Sequence, residues 1–175
     1  MKWTSSDATT IVATQSFAIF GVIQSSLHTL WTMTYQSSLG TGSRYTPSDC
    51  FETFPFPNLD PQDSFLETIG EIYHKYRQQL MLTRQEGLTD TYNRFHNPDE
   101  TADDIQKLRE FHIEVDSAVA GAYGWTELDL DHGFYNTRQG RRFTFSEHTQ
   151  RELLAHLMKL NHERYAEEVA QGPHN

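Results

Sequence analysis

The stretch Ser43-Arg44-Tyr45-Thr46-Pro47-Ser48-Asp49-Cys50-Phe51-Glu52-Thr53-Phe54-Pro55-Phe56-Pro57 divides a polar, aromatic-rich opening segment from a long acidic remainder. Its tail, Phe54-Pro55-Phe56-Pro57, cannot be helical. Each proline lacks an N–H, fixes its own φ and pushes the residue before it toward extended geometry. Two phenylalanines spaced two apart on an extended chain point to one side, so both can plug a single apolar surface. The tail reads as a stiff, anchored connector; taken alone it also fits an ordinary proline-containing loop.

Upstream, residues 9–14 (Thr-Thr-Ile-Val-Ala-Thr) are β-branched and uncharged and predict a short strand. Ser16 is placed to cap a helix running to about residue 35, with Phe17, Phe20, Gln24, Leu27 and Trp31 at helical spacing on one side. The other side carries Ser25, Ser26, His28, Thr29, Thr32 and Thr34, and no formal charge occurs between Asp7 and Arg44. A wet helix face usually shows Lys and Glu. This face is therefore expected to lie against another macromolecular surface, the rest of a larger protein included. Residues 36–45 are rich in Ser, Gly and Thr and predict a loop in which Gly40 and Gly42 are free to take positive φ, with Arg44 its only strong donor.

Downstream, Asp60-Pro61 predicts a helix start, and Phe65, Leu66, Ile69, Ile72, Tyr73, Tyr76 and Leu80 supply its stripe to about residue 82, with Gly87 as its stop. A short helix capped by Thr89 carries Tyr92 and Phe95 and ends at Asn97-Pro98. Thr101-Ala102-Asp103-Asp104 resembles a capping box with Asp in place of Glu, opening a helix to Ala122 with Ile105, Leu108, His112, Val115 and Val119 inside. Gly121 and Gly124 end it, and Trp125 is placed to cover that end of the core. Residues 126–145 form a loop or hairpin. Ser146 caps a last helix with Leu153, Leu154, Leu157, Met158 and Leu160 inside, fraying from Ala170. The expected fold class is mainly α with minor β: a helical bundle with a short N-terminal strand/helix segment.

The 175 residues suffice for one core, and the longest apolar run, Phe17 to Ile23, is too short to span a bilayer, so no membrane partner and a cytoplasmic location are expected. The net charge of −10 argues against a general grip on nucleic acid. The charge is uneven, however. Residues 1–59 carry Lys2 and Arg44 against Asp7, Asp49 and Glu52, whereas residues 60–175 carry 12 basic and 21 acidic side chains. A nucleic-acid contact fits the first segment better than the second.

No catalytic set and no metal set emerge. Cys50 is the only cysteine, His-Glu-x-x-His is absent, and His112 falls on an apolar helix side as a hydrogen-bonded core residue. No nucleophile elbow or P-loop occurs. Asp99, Glu100, Asp103 and Asp104 fit the negative first turn of a helix better than a nuclease centre. One basic patch, Arg138, Arg141 and Arg142 beside Phe143 and Phe145, supports two readings: phosphate contact, or pairing with Glu127, Asp129 and Asp131 just upstream.

Several phrases then point one way. Ser43-Arg44-Tyr45 followed by Phe51-Glu52-Thr53-Phe54-Pro55-Phe56-Pro57 resembles the end of the target-recognition region in the MmeI-like family, the fused type IIG/IIL restriction–modification adenine-specific DNA methyltransferases. Ser25-Ser26-Leu27-His28-Thr29-Leu30-Trp31 is similar to the Ser-Ser-x-His-x-x-Trp helix that precedes it there. Leu88-Thr89-Asp90-Thr91-Tyr92-Asn93-Arg94-Phe95-His96, Leu108-Arg109-Glu110-Phe111-His112, Ala122-Tyr123-Gly124-Trp125 and Leu160-Asn161-His162-Glu163-Arg164-Tyr165 resemble the family's C-terminal helical region.

The resemblance implies a C-terminal fragment: residues 1–59 as the terminal part of a DNA target-recognition domain and residues 60–175 as a C-terminal helical domain. The family's Asn-Pro-Pro-Tyr motif and its S-adenosylmethionine loop are missing here. It therefore implies no catalytic residue and no cofactor in this chain, S-adenosylmethionine being bound by the missing domain. It also implies double-stranded DNA and a catalytic methyltransferase domain as partners. Ser43, Arg44 and Tyr45 are the leading DNA-contact candidates. Ser25, Ser26 and His28 stand behind them, with packing against the remainder of the recognition domain as their other reading. The alternative function is a freestanding helical interaction module whose uncharged first helix docks a protein.

Overall fold

The structure, a computed structural model, describes residues 10–39, 42–59 and 64–172. In chain order its elements are α1 (Phe17–Gln24), α2 (Ser26–Tyr35), β1 (Ser37–Leu39), β2 (Gly42–Arg44), α3 (Pro47–Cys50), α4 (Ser64–Arg84), α5 (Leu88–Phe95), α6 (Asp103–Ala122), β3 (His132–Thr137), β4 (Gly140–Phe145) and α7 (Glu147–Gln171). Each strand pair is an antiparallel hairpin. The fold is mainly α with minor β, as expected, and one hydrophobic core takes Val22, Leu27 and Trp31 together with Leu66, Tyr73, Val115, Phe145 and Leu157.

The long helix predicted after Ser16 is two helices. Ser16 does cap α1, accepting from the Ile19 amide. Ser25 then leaves helical geometry (φ −65°, ψ 155°) and becomes the N-cap of α2. Its Oγ donates to the Val22 carbonyl (2.7 Å) and accepts from the His28 amide (3.2 Å), so one hydroxyl closes the first helix and opens the second.

The face expected to meet an external surface is inside this chain: Ser25, Ser26, His28 and Thr32 are buried, while Thr29 and Thr34 stay exposed. The expected strand is not formed at residues 10–14; these are exposed, and no strand among the described residues pairs with them. The predicted 36–45 loop instead contains hairpin β1–β2, with Ser37 opposite Arg44. Gly40 and the helix start at Asp60-Pro61 lie outside the described residues, as do residue 9 and the last three residues.

Two glycines set the crossing of α1 and α4. A Cβ on Gly21 would lie 3.3 Å from Leu66 Cδ1, and one on Gly70 would clash with the Phe17 carbonyl, far inside van der Waals contact. Because α1 follows the Leu66–Gly70–Tyr73 line, Phe65 and Ile72, both predicted to be inside, stay exposed. The N-terminus of α1 is held by Glu67, which accepts from the amides of Phe17 (2.9 Å) and Ala18 (2.7 Å) and from Ser16 Oγ (2.9 Å). Those amides hold the Glu67 carboxyl below its usual range. A lowered folded pKa means that this stabilisation is present above the ordinary carboxylate range and is lost as pH falls through the folded value. Glu67→Gln should therefore cost about 1 kcal/mol at neutral pH. It should also flatten the fall in unfolding midpoint as pH drops below the ordinary glutamate range; an unchanged slope would refute the cap.

Helix α4 ends two residues later than predicted, and not at Gly87. Gln85 takes φ 54°, Gln85 N bonds the Leu82 carbonyl and Glu86 N the Met81 carbonyl, which satisfies the terminal acceptors. Gly87, not Thr89, is the N-cap of α5. The capping box at α6 does not form: the cap is Ala102, without a side-chain bond, and Asp104 is taken by a bidentate contact from Arg84 (2.6 and 2.7 Å). Arg109, buried on α6, donates to the carbonyls of Arg94, Phe95, Asn97 and Glu100 and so closes the end of α5 and the turn after it. The predicted inner stripe of α6 is buried throughout. Residues 132–145 form the hairpin, and Ser146 caps α7, whose Met158 is exposed and which extends through Gln171.

Candidate functional site

A buried polar chain runs through the molecule from the α1–α2 joint. Arg77 Nη1 on α4 donates to Gln24 Oε1 on α1 and to Tyr92 Oη on α5 (3.1 Å). Tyr92 Oη lies 2.8 Å from Tyr73 Oη, which lies 3.2 Å from His112 Nδ1. His112 Nε2 is 2.9 Å from Ser26 Oγ, and the Ser26 amide donates to Asp116 Oδ1 (2.7 Å). Finally His132 Nε2, at the base of β3, lies 2.8 Å from Asp116 Oδ2. Helices α1, α2, α4, α5 and α6 and strand β3 all contribute, so the opening segment and the acidic helices are locked by directional bonds as well as by apolar packing.

The protonation states follow from the surroundings. Burial pushes His112 down, against the opposing pull of the Asp116 carboxylate. Burial pushes the Asp116 carboxyl up, but His112, His132 and Ser26 outweigh it and hold the group below its usual range. Asp116 is thus an ion sealed in the core whose lone pairs are met by Ser26 N–H and His132 Nε2–H, the condition under which a buried charge is tolerated. Asp116 and His132 escaped the sequence reading. The signal was present, since position 116 falls on the same α6 side as His112, Val115 and Val119.

The Phe-Pro segment docks where its spacing predicts. Phe54 is buried, its ring meets Phe56 edge-on at 5.1 Å, and both approach the His28 ring. Tyr123 Oη donates to the Pro55 carbonyl (2.9 Å), Trp31 Nε1 to Thr53 Oγ1 (3.1 Å) and Asn161 Nδ2 to the Thr53 carbonyl (2.7 Å). His28 Nε2 lies 3.2 Å from Tyr45 Oη, and burial pushes the ring down to about 4, so it is neutral at pH 7. The neutral imidazole therefore steadies Tyr45, the residue that follows β2.

The structure divides the DNA-contact candidates. Ser25, Ser26 and His28 are interior and engaged within this chain. Tyr45 is half-buried, and Ser43 and Arg44 lie on β2, paired with Ser38 and Ser37; their side chains lie outside the described residues. On the second hairpin Phe143 and Phe145 face the core, Arg142 is half-buried, and Arg138 and Arg141 are exposed. No ion pair joins these arginines to Glu127, Asp129 or Asp131 among the described residues.

Two shallow surface depressions, of about 470 and 480 Å³, gather no nucleophile–base pair, one lying beside His74 and Arg77 and the other beside Trp125 and His132. Among the described residues no group of His, Cys, Asp and Glu side chains is placed to hold a metal ion, and no helix is long and apolar enough to cross a membrane.

Comparison with known proteins bears on the first segment most directly. Residues 2–58 match the family model for the MmeI target recognition domain, a match that ends one residue past Pro57. Among solved structures the chain is similar to the type IIL restriction-modification enzyme MmeI in complex with DNA, with a TM-score of 0.55 over 87% of this chain at 19% identity. That likeness establishes a shared fold, and the chain spans 17% of the length of that structure. No curated protein matches. Both findings agree with the resemblance carried by Ser25-Ser26, Arg44-Tyr45 and Phe54-Pro55-Phe56-Pro57.

Proposed function

We propose that this chain is the C-terminal part of a type IIG/IIL restriction–modification enzyme that methylates adenine N6 within a DNA site, in which residues 1–59 close the target recognition domain and residues 60–175 brace it. The observation that carries the reading is the family match over residues 2–58. The buried chain from Gln24 and Ser26 to Asp116 supports the bracing role, because it gives the recognition segment a fixed seat. Methyl transfer, with S-adenosylmethionine as donor, belongs to the catalytic part of the parent protein in this reading, and a cytoplasmic location follows from the substrate. The competing interaction-module reading loses most of its motive, since Ser25, Ser26, His28 and Thr32 of the uncharged helix face are buried within this chain, Ser26 against α6.

Complementation tests the proposal. The catalytic part of the parent enzyme and this chain should each fail to methylate duplex DNA alone and should together transfer labelled methyl groups to adenine at one sequence. A stable complex of the two that still shows no site-specific transfer would overturn it.

A further inference from the structure

Hairpin β3–β4 has its charges sorted by position. Asp129 and Asp131 lie at its base, where His132 pairs with Phe145, whereas Arg138 occupies the turn and Arg141 stands one pair below the closing Thr137–Gly140 pair, opposite Asn136. A six-residue strand puts roughly 17 Å between base and turn, too far for the two signs to neutralise one another. Five other arginines of the described chain are engaged: Arg84, Arg94 and Arg151 meet carboxylates, and Arg77 and Arg109 donate to groups inside the chain, whereas Arg164 stands on α7 near Tyr123, away from this hairpin's turn. Arg138 and Arg141 have neither kind of partner among the described residues, in a protein of net charge −10. Arg142, next to them, sits beside His96.

The turn also has a defined neighbour. Gln139 Nε2 lies 3.2 Å from Met33 Sδ in the last turn of α2, and Gln36 Nε2 lies 3.2 Å from the same sulfur. Gln36 leads straight into Ser37, the β1 residue paired with Arg44. The turn of the second hairpin therefore stands at the root of the first, within the segment that matches the target recognition domain. No formal charge occurs between Asp7 and Arg44, so that side supplies no acid to quench the two arginines.

We propose that the β3–β4 turn is a phosphate-binding element, Arg138 and Arg141 holding the backbone of the same duplex that hairpin β1–β2 meets. The assignment rests on the DNA-recognition reading above. It adds a second, sequence-independent contact supplied by the acidic half of the chain. Two exposed guanidinium groups beside Asn136 and Gln139 offer forked donors to phosphate oxygens, which fix register on DNA without reading bases.

The test is binding of the 175-residue chain to labelled duplexes of several sequences, followed by fluorescence anisotropy from about 50 to about 200 mM salt. Replacing both residues (Arg138→Ala with Arg141→Ala) should weaken every duplex alike, about tenfold, and reduce the slope of log K against log salt by about 2. The pair Arg138→Lys and Arg141→Lys should restore most of that slope. Arg44→Ala should instead alter the ranking of sequences. If the double alanine variant keeps affinity and slope while Arg44→Ala weakens binding, the turn is excluded and the recognition reading stands. If the unsubstituted chain binds no duplex at about 50 mM salt, both fail. If polyaspartate competes as well as DNA at equal charge, the turn is a general anion surface and the duplex assignment is overturned.

Discussion

Gly70→Ala is expected to lower the thermal unfolding midpoint by roughly 10 °C, because the added methyl has nowhere to go. Its carbon would fall far inside van der Waals contact with the Phe17 carbonyl oxygen and 2.9 Å from the carbonyl carbon, backbone atoms at the capped start of α1. A flexible side chain could step aside; the first turn of a helix bonded to Glu67 cannot do so without giving up those bonds. Either α1 lifts from α4 or the cap breaks, at a cost of about 3 kcal/mol. Gly121→Ala is the matched control. It also lies in a helix, nothing stands within 4 Å of its added Cβ, and it should be neutral or stabilising by up to about 1 kcal/mol. Calorimetry of the two variants checks the pair, and equal midpoints would refute the glycine-to-backbone crossing.

Asp116→Ala should be at least as damaging. It strips the acceptor from the Ser26 amide and from His132, leaving buried donors unsatisfied at about 1–3 kcal/mol each. A total of about 3–5 kcal/mol is expected, measured by urea unfolding. Asp116→Asn keeps the shape and one acceptor and should cost less. Because Ser26 is the first residue of α2, the alanine variant should also loosen the α1–α2 joint, read as faster amide exchange at Ser26. A loss below about 1 kcal/mol would show that the buried ion contributes nothing net.

What could be read from the sequence were features that depend on near neighbours. Pattern alone located α6 and the α7 cap, because Ile105, Leu108, His112, Val115 and Val119 repeat at helical period and Ser146 stands before a long amphipathic run, while residues 126–145 stayed open as loop or hairpin. Features set by distant partners were hidden. The break at Ser25 is favoured by a carboxylate 90 positions away that takes the Ser26 amide, and no local signal outweighed the surrounding helical pattern. The apparent capping box at Thr101 was lost to Arg84, 20 residues upstream of Asp104. The absence of charge on α2 pointed to another macromolecular surface, and that expectation was wrong about whose surface it was. The partner was this chain's own α6, whose Asp116 and His112 meet Ser26. Of the DNA-contact candidates, the sequence could not tell the interior serines and His28 from residues that face a ligand, because short polar side chains serve both uses.

On the proposed reading, the seat of the opening segment limits what could be exchanged for it. A transplant cut at Pro57, the natural break in chain order, would carry Gln24 and Ser26 away and leave Arg77, His112 and Asp116 facing strangers, with Gly70 awaiting a helix shaped to reach it. The heritable unit is therefore larger than the reading segment. Any donor must bring its own α4 and α6 counterparts, or retain a small residue at position 21, an amide acceptor at 24 and a helix-opening hydroxyl at 25.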